Sequence, residues 1–372
     1  MRLRDLDITL GSLSPGPANA ISDVPGVRVG HVDVVEGGLS TGITLVVPYG
    51  DGARRRVFAG RWSVDGGDGM TGLGVTEDFG VIATPVMLAP VAAVGRVYDG
   101  LIAHGQGMDP ELWPPVVVGV DDSGANPPEL VHRLVREEHL YSALTAAGGA
   151  TGTGEGSTGI GLGLSGFGVR GGVGTASRRA GSNLPAHDSA YTVGALVAVN
   201  GGEPGNLSVD GFPVGASLDV EPLRADLPRS LAAVVVTDAP LIPRQLDHLA
   251  SRAAVGLARV GLFDASTRDG IVLALSTTGL NDTALPESPA TRPVSLVGEG
   301  GLPPLYAAAA QACEEAVLNG LLQAVPLPDR GGAVAFGRAA PRQSGHLSRT
   351  LPIGGWPQEV RRFQSARRRR GG

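Results

Sequence analysis

Glycine makes up 58 of the 372 residues, and this content limits the folds open to the chain more than any other feature. The glycines cluster without a three-residue period, which excludes a collagen helix. Runs of Val, Ala and Leu recur between them, and hydrophobic residues reach 42%, which excludes disorder along the whole chain. Only 4% of the residues are aromatic. The pattern predicts a close-packed protein of helices and strands, with many tight turns and close backbone approaches.

Charge is unevenly distributed, and all 30 basic residues are arginines. Residues 331–372 hold nine arginines and one acid, Glu359, for a net charge of +8. The rest of the chain holds 21 arginines and 35 acids, for a net charge of −14. A body this acidic argues against a nucleic-acid partner. For residues 331–372 we expect a solvated, disordered extension, with contact to RNA or an anionic membrane as the alternative.

Neither a disulfide framework nor a membrane anchor is indicated. Cys313 is the only cysteine and predicts a buried structural thiol. The first residues lack the apolar core of a signal peptide. Prolines interrupt the most apolar stretch, residues 81–94, which is too short to span a bilayer. We therefore expect a cytoplasmic protein with no membrane partner.

Apolar runs place the main secondary-structure elements. Buried strands are predicted at residues 116–120, 191–199, 231–236 and 271–276. Helices are predicted at residues 92–104, 126–147, 243–260 and 305–325. Strands and helices alternate without a regular βαβ order, which favours a layered α+β arrangement over a doubly wound sheet.

Familiar cofactor and catalytic motifs give no convincing site. The pattern G-x-G-x-x-G occurs at residues 154–159 and 161–166, but a helix rather than a strand precedes it, so no dinucleotide site is predicted. The seven histidines are scattered without an H-E-x-x-H pair, and we predict neither a metal nor another cofactor. No G-x-S-x-G elbow is present.

One serine lies where an unusual chemistry is possible. Ser230 follows a long polar loop, residues 203–229, and leads directly into a buried strand. If the chain were cut before it, its new α-amine, with a pKa near ~8, could act as general base toward its own hydroxyl. Such a scheme requires no histidine. The alternative is a serine without any catalytic role.

Eight segments between residues 20 and 325 carry further sequence signatures: residues 21–31 (ISDVPGVRVGH), 57–60 (VFAG), 66–72 (GGDGMTG), 171–178 (GGVGTASR), 191–194 (YTVG), 234–241 (VVVTDAPL), 252–259 (RAAVGLAR) and 314–319 (EEAVLN). Together and in this order, they resemble the L-aminopeptidase/D-esterase (DmpA-like) family of self-processing peptidases with an N-terminal serine.

That resemblance implies an α+β fold for residues 1–330, a single four-layer αββα sandwich of the DmpA and ornithine acetyltransferase type, usually assembled as a homotetramer. In the family, a precursor cuts itself before a serine that then attacks amide or ester bonds of short substrates. Ser230 matches this nucleophile, which implies chains of residues 1–229 and 230–372. Asn200 matches the asparagine that stabilises the oxyanion, a role suited to a neutral amide donor.

The matching segments also depart from the family pattern. Arg229 stands where the residue before the nucleophile is ordinarily glycine, which better tolerates a strained scissile bond. Arg268 replaces a second serine, and the expected carboxylate is displaced to Asp269. Either Ser266 or Asp269 is then the candidate group that positions the nucleophile. The family's active-site tyrosine is absent from residues 120–124 (VDDSG).

Two functions follow from the sequence. The first is an active, self-processing serine aminopeptidase or amidase that acts on N-terminal residues of short peptides, amides or esters. The second is an uncleaved, non-catalytic relative that keeps the fold for binding or assembly. A lesser alternative is an acyltransferase with Thr237 as nucleophile, because ornithine acetyltransferases share this type of fold and use a threonine.

Overall fold

The computed structural model describes residues 1–49, 56–64, 69–106, 114–149, 152–181, 191–217, 230–264, 267, 269–278, 294–325, 336 and 355–370. Within them, the strands are β1 (Arg28–Glu36), β2 (Leu39–Val47), β3 (Val57–Val64), β4 (Val81–Ile82), β5 (Val86–Pro90), β6 (Val116–Val120), β7 (Ser165–Gly166), β8 (Val169–Arg170), β9 (Gly172–Ala180), β10 (Tyr191–Val199), β11 (Ser230–Thr237) and β12 (Asp269–Ser276). The α-helices are α1 (Leu73–Phe79), α2 (Val94–Gln106), α3 (Pro128–Leu134), α4 (Glu137–Gly149), α5 (Pro243–Val260), α6 (Leu302–Gln323) and α7 (Trp356–Arg370).

Most of these strands form two sheets. The first has four strands in the order β1-β2-β5-β6, and the second has six in the order β4-β3-β12-β11-β10-β9. In the second sheet, β11 pairs antiparallel with β10 and parallel with β12. The first residue of β11 therefore lies beside the first residue of β12, at the same end of the sheet.

Three hydrophobic clusters fill the spaces between four layers. One lies between the two sheets, one between the six-stranded sheet and helices α5 and α6, and one between the four-stranded sheet and helices α2, α3 and α4. Along β11, Val235 faces the helices while Val234 and Val236 face the other sheet. Strands buried on both faces read as unbroken apolar runs. The predicted four-layer αββα sandwich is confirmed.

Glycine allows helix α6 to approach the sheet closely. A Cβ atom at Gly174 of β9 would overlap the backbone of Ala316 and Gly320 in α6. A Cβ at Gly256 of α5 would likewise overlap the backbone of Ala310. Part of the high glycine content thus serves layer packing, as the composition predicts.

The helix predicted at residues 126–147 is interrupted. Its first part is α3, and Val135 then adopts an extended conformation before α4 begins. The Arg136 amide donates to Nδ1 of His139 at 3.0 Å, which satisfies a backbone group at the start of the new helix. Glu137 and Glu138 occupy the first turn of α4, where the helix dipole favours acids.

Part of the arginine-rich tail is ordered against the body, which departs from the expected disordered extension. In α7, Trp356 and Val360 are buried, and the Trp356 ring stacks on Phe336. Arg361 donates to the Leu6 carbonyl at 2.6 Å. Residues 356, 360 and 364 are spaced four apart and form a buried stripe along the helix. The many arginines around them make this stripe hard to recognise in the sequence.

A buried ionic cluster joins β9, α6 and the N-terminal segment. Arg178 and Glu315 have no exposed side-chain surface, and Arg178 Nη2 lies 2.6 Å from Glu315 Oε2. Arg4 Nε and Asn19 Nδ2 approach Glu315 Oε1 at 2.9 and 2.5 Å. Burial raises the pKa of Glu315, but the two arginines oppose this and hold the pKa below its ordinary value.

Cys313 lies in helix α6, within the described ranges. Cys313 is buried there, and burial raises the pKa of its thiol to about 12. No described helix is long and apolar enough to cross a membrane. Nor does the described part of the chain contain a group of three or more His, Cys, Asp or Glu side chains able to hold a metal ion.

Candidate active site

Ser230 is the first residue of β11 and is 4% exposed. Its Oγ accepts hydrogen bonds from Asn200 Nδ2 at 3.0 Å and from the Asp121 amide at 3.1 Å. Two neutral N–H donors thus converge on one hydroxyl oxygen. Such donors stabilise negative charge when it develops on or beside that oxygen.

Asn200 follows the last residue of β10, and backbone contacts fix its orientation. Its Oδ1 accepts from the Ser165 amide at 3.4 Å, and its Nδ2 donates to the Asp121 carbonyl at 2.8 Å. The next residue, Gly201, has a φ of 97°, a conformation that favours glycine, and its amide donates to the Ser165 carbonyl at 2.8 Å. The –NH₂ side of Asn200 must therefore face Ser230, because the reversed amide would place two donors together at Ser165.

Asp121 supplies a contact that the sequence analysis missed. It follows β6 directly; its backbone N–H donates to Ser230 Oγ, and its backbone carbonyl accepts from Asn200 Nδ2. In the sequence, this segment shows two acids directly after a buried strand, and it lacks the tyrosine that the family has there. Two polar residues at the end of a strand could have indicated that this segment reaches the site. The contact itself comes from the backbone, and the type of residue does not reveal a backbone donor.

The proposed positioning groups are only partly described. Asp269 begins β12 and pairs in register with Ser230 on the neighbouring parallel strand, where its side chain is half-buried. Ser266, Arg229 and Arg268 lie outside the described residues. The structure therefore brings Ser230 and Asn200 together and places Asp269 beside them in the sheet.

Thr237, the nucleophile of the acyltransferase alternative, lies at the opposite end of β11. It is seven residues from Ser230, about 23 Å along an extended strand. Its hydroxyl donates to the Thr192 carbonyl at 2.8 Å and accepts from the Ala239 amide at 3.1 Å. Thr237 is buried and connects two segments of backbone, which is a structural role.

Loss of solvation perturbs the pKa of two groups, one in the turn after β6 and one on β1. Asp122, the residue after Asp121, is 5% exposed, and burial raises the pKa of its carboxyl to about 6. His31, on β1, is half-buried, and loss of solvation lowers the pKa of its imidazole to about 4. Its Nδ1 lies 3.0 Å from the Thr44 hydroxyl, so His31 packs within the four-stranded sheet and does not contact Ser230.

The two-sheet sandwich, with a buried serine–asparagine pair at a sheet end, has the αββα core, and the comparisons below place it among the hydrolases with that core. Within that class, the chain belongs to peptidase family S58, whose family model matches residues 19–335.

Three comparisons support this membership. The chain is 34% identical to the β-peptidyl aminopeptidase BapA of Sphingosinicella microcystinivorans, over 89% of this chain and 88% of that protein. A solved β-aminopeptidase from Burkholderia sp. superposes with a TM-score of 0.80 at 37% identity, covering 90% of this chain and 95% of that one. The L-aminopeptidase D-Ala-esterase/amidase of Ochrobactrum anthropi, described as a variant of the Ntn hydrolase fold, gives 0.78 at 30% identity, covering 89% and 93%. The predicted relationship to the DmpA-like family is confirmed.

Proposed function

We propose that this protein is a self-processing serine aminopeptidase that releases N-terminal residues from short peptides, amides or esters. The convergence of the Asn200 and Asp121 donors on Ser230 Oγ is the observation that carries the proposal. Membership of a peptidase family favours this function over a non-catalytic relative. We expect the mature enzyme to be a cytoplasmic homotetramer. In each subunit, the two pieces of the cut chain remain together in one sandwich domain.

Maturation breaks the peptide bond between Arg229 and Ser230. Ser230 Oγ attacks the Arg229 carbonyl carbon, the C–N bond breaks, and the acyl group moves from nitrogen to oxygen. Water then hydrolyses this ester, which leaves a carboxyl group on Arg229 and a free α-amine on Ser230. The hydroxyl and the amine now belong to the same residue, and the amine is available as a base.

Turnover uses the same oxygen. The α-amine takes the hydroxyl proton as Ser230 Oγ attacks the substrate carbonyl, and Asn200 Nδ2 donates to the oxyanion that forms. The protonated amine then returns its proton to the leaving amine or alcohol. Water hydrolyses the remaining acyl–serine ester and restores the enzyme. Asp269, on the adjacent strand, and Ser266 are the candidates for orienting Ser230.

The relatives suggest which substrates to try first. One is named a β-peptidyl aminopeptidase, and another an L-aminopeptidase with D-Ala-esterase activity. We propose that this chain accepts a small N-terminal residue and that a β-amino acid is among those accepted. The matched probes are β-alanyl and L-alanyl p-nitroanilide, each with and without an N-acetyl group.

An aminopeptidase releases nitroaniline from the free-amine probes and leaves the N-acetylated ones intact. Equal cleavage of both forms would contradict recognition of the N-terminus. If none of the four probes is cleaved by protein that has been cut before Ser230, the proposed substrate class is wrong.

A further inference from the structure

A short turn, residues 121–126, carries the backbone donor that reaches the nucleophile. The Asp121 amide donates to Ser230 Oγ, and its carbonyl accepts from Asn200 Nδ2. The two peptide planes that flank Asp121 therefore set where both partners lie. Whatever fixes the turn also fixes the geometry at Ser230.

The turn is held from inside by Asp122 and Asn126. Asn126 is fully buried, and its Nδ2 donates to Asp122 Oδ2 at 2.8 Å. The same amide exchanges two hydrogen bonds with the Ser40 backbone on β2, at 2.9 and 3.0 Å. The Asp122 carbonyl accepts from the amides of Ala125 and Asn126, both at 2.9 Å. The turn is thus anchored to the four-stranded sheet through the Asp122 carboxyl and Asn126.

The Asp122 side chain is tightly packed on the side that faces Gly163. A Cβ at Gly163 would lie 2.8 Å from both Cβ and Oδ2 of Asp122, so the neighbouring short helix, Gly159–Gly163, packs directly on this side chain. A shift of Asp122 therefore requires a shift of the turn.

We propose that Asp122 is a positioning residue, whose carboxyl holds Asn126 and thereby aims the Asp121 amide at Ser230 Oγ. This inference rests on the proposed function of Ser230. In the proposed mechanism, the Asp122 side chain acts through Asn126 and touches neither the nucleophile nor the reacting atoms.

The role brings a pH dependence. Burial raises the pKa of Asp122 to about 6, the Asp121 charge raises it further, and Thr41 and Asn126 act in the opposite direction. The Thr41 hydroxyl, on β2, is fully buried near this carboxyl, without a hydrogen bond of regular geometry among the described residues. An ionised Asp122 accepts more strongly from Asn126 than a protonated one does. Ser230 should therefore become more reactive as pH rises through about 6.

The test is the rate at which phenylmethylsulfonyl fluoride modifies Ser230 in the full-length protein, followed by intact mass between pH 5 and pH 8. Asp122→Ala removes the acceptor, and Asp122→Asn keeps an acceptor but cannot ionise. Asp78→Ala, at an exposed aspartate of α1, is the matched control.

We expect Asp122→Ala to react about 10²-fold more slowly, the loss typical of a small misplacement in an active site. Asp122→Asn should react at the rate that the wild-type protein shows below pH 6, and its rate should not rise as pH passes 6. The control should match the wild-type protein throughout.

Two results would overturn the proposal: a folded Asp122→Ala protein that reacts as fast as wild type, or an Asp122→Asn protein that retains the rise. If the alanine variant fails to fold, the asparagine variant decides the question through its pH profile. If Ser230 of the wild-type protein is never modified, the proposed function is wrong, and the positioning role of Asp122 fails with it.

Discussion

The molecule contains two buried polar clusters that differ in how their charges are satisfied. In the ionic cluster, both oxygens of Glu315 receive donors, including charged groups of Arg4 and Arg178. At the candidate active site, the donors that meet Ser230 Oγ are neutral and come from Asn200 and a backbone amide.

This difference separates a structural cluster from the cluster that we propose to be reactive. Glu315 already carries its charge, and its partners neutralise it in the resting protein, so the cluster stabilises the fold. Ser230 carries no charge at rest, and its two donors gain most when negative charge develops on an oxygen there. Removing a group from the first cluster should therefore cost stability, whereas removing one from the second should mainly cost reactivity.

The largest effect is expected at Ser230. Ser230→Ala should lower kcat/KM by about 10⁴-fold or more, because it removes the nucleophile. Hydrolysis of the alanyl p-nitroanilides measures it, and Ser251→Ala, at a helix-surface serine of α5, is the control. An alanine variant that retains activity would assign the nucleophile elsewhere.

In the ionic cluster, Glu315→Ala should lower the free energy of unfolding by about 3–5 kcal/mol, because it leaves Arg178 buried without its partner. Urea denaturation measures this change, while the reactivity of Ser230 per folded molecule should stay near that of the wild-type protein. Glu138→Ala, which breaks an exposed ion pair with Arg136, should hardly change stability. If Glu315→Ala and Glu138→Ala lose the same free energy of unfolding, the buried cluster has no special role in stability.

Asn200→Ala should reduce kcat by about 10²–10³-fold with little change in KM, because the side chain stabilises charge that exists only in the transition state. Steady-state kinetics with the p-nitroanilide probe measures both constants. Asn206→Ala, at an exposed asparagine beside Asp264, is the control. A rise in KM alone would instead make Asn200 a substrate-binding group.

The smallest effect concerns stability against pH. The pKa of Asp122 rises from 3.8 in the unfolded chain to about 6 in the folded protein, so the folded state binds the proton more tightly. The stability that this proton confers is complete below about pH 4 and is lost as pH rises to about 6, a change of about 3 kcal/mol.

Asp122→Asn should consequently be more stable than the wild-type protein at pH 7, with the difference vanishing near pH 4. Glu315 behaves oppositely, because its lowered pKa confers stability that is lost as pH falls below its ordinary range. Urea denaturation at several pH values checks this, with Asp78→Asn as control. A difference that is constant with pH would mean that Asp122 does not titrate in this range.

The sequence predicted the main strands and helices, but not the break within one helix or the buried face of another. The apolar run at residues 116–120 and the helix at Pro243–Val260 appear as expected, because burial on two faces or on one stripe leaves a clear period in the sequence. The break between α3 and α4 was not predicted, since it depends on the His139 side chain reaching a backbone amide. The buried stripe of α7 was overlooked because arginines dominate that segment.

The candidate site was predictable only in part. The family resemblance pointed to Ser230 and Asn200, and the structure places them in contact. The contribution of Asp121 could not be read from the sequence, because any residue except proline would supply the same amide. The roles of Ser266 and Asp269 remain predictions.

Each step of the proposed mechanism depends on self-cleavage between Arg229 and Ser230. Intact mass of the purified wild-type protein under denaturing conditions, together with the N-terminal residue of each piece, tests this directly. We expect two pieces, residues 1–229 and 230–372, the second beginning with Ser230. A single chain of 372 residues, or a second piece that begins at another residue, would contradict it.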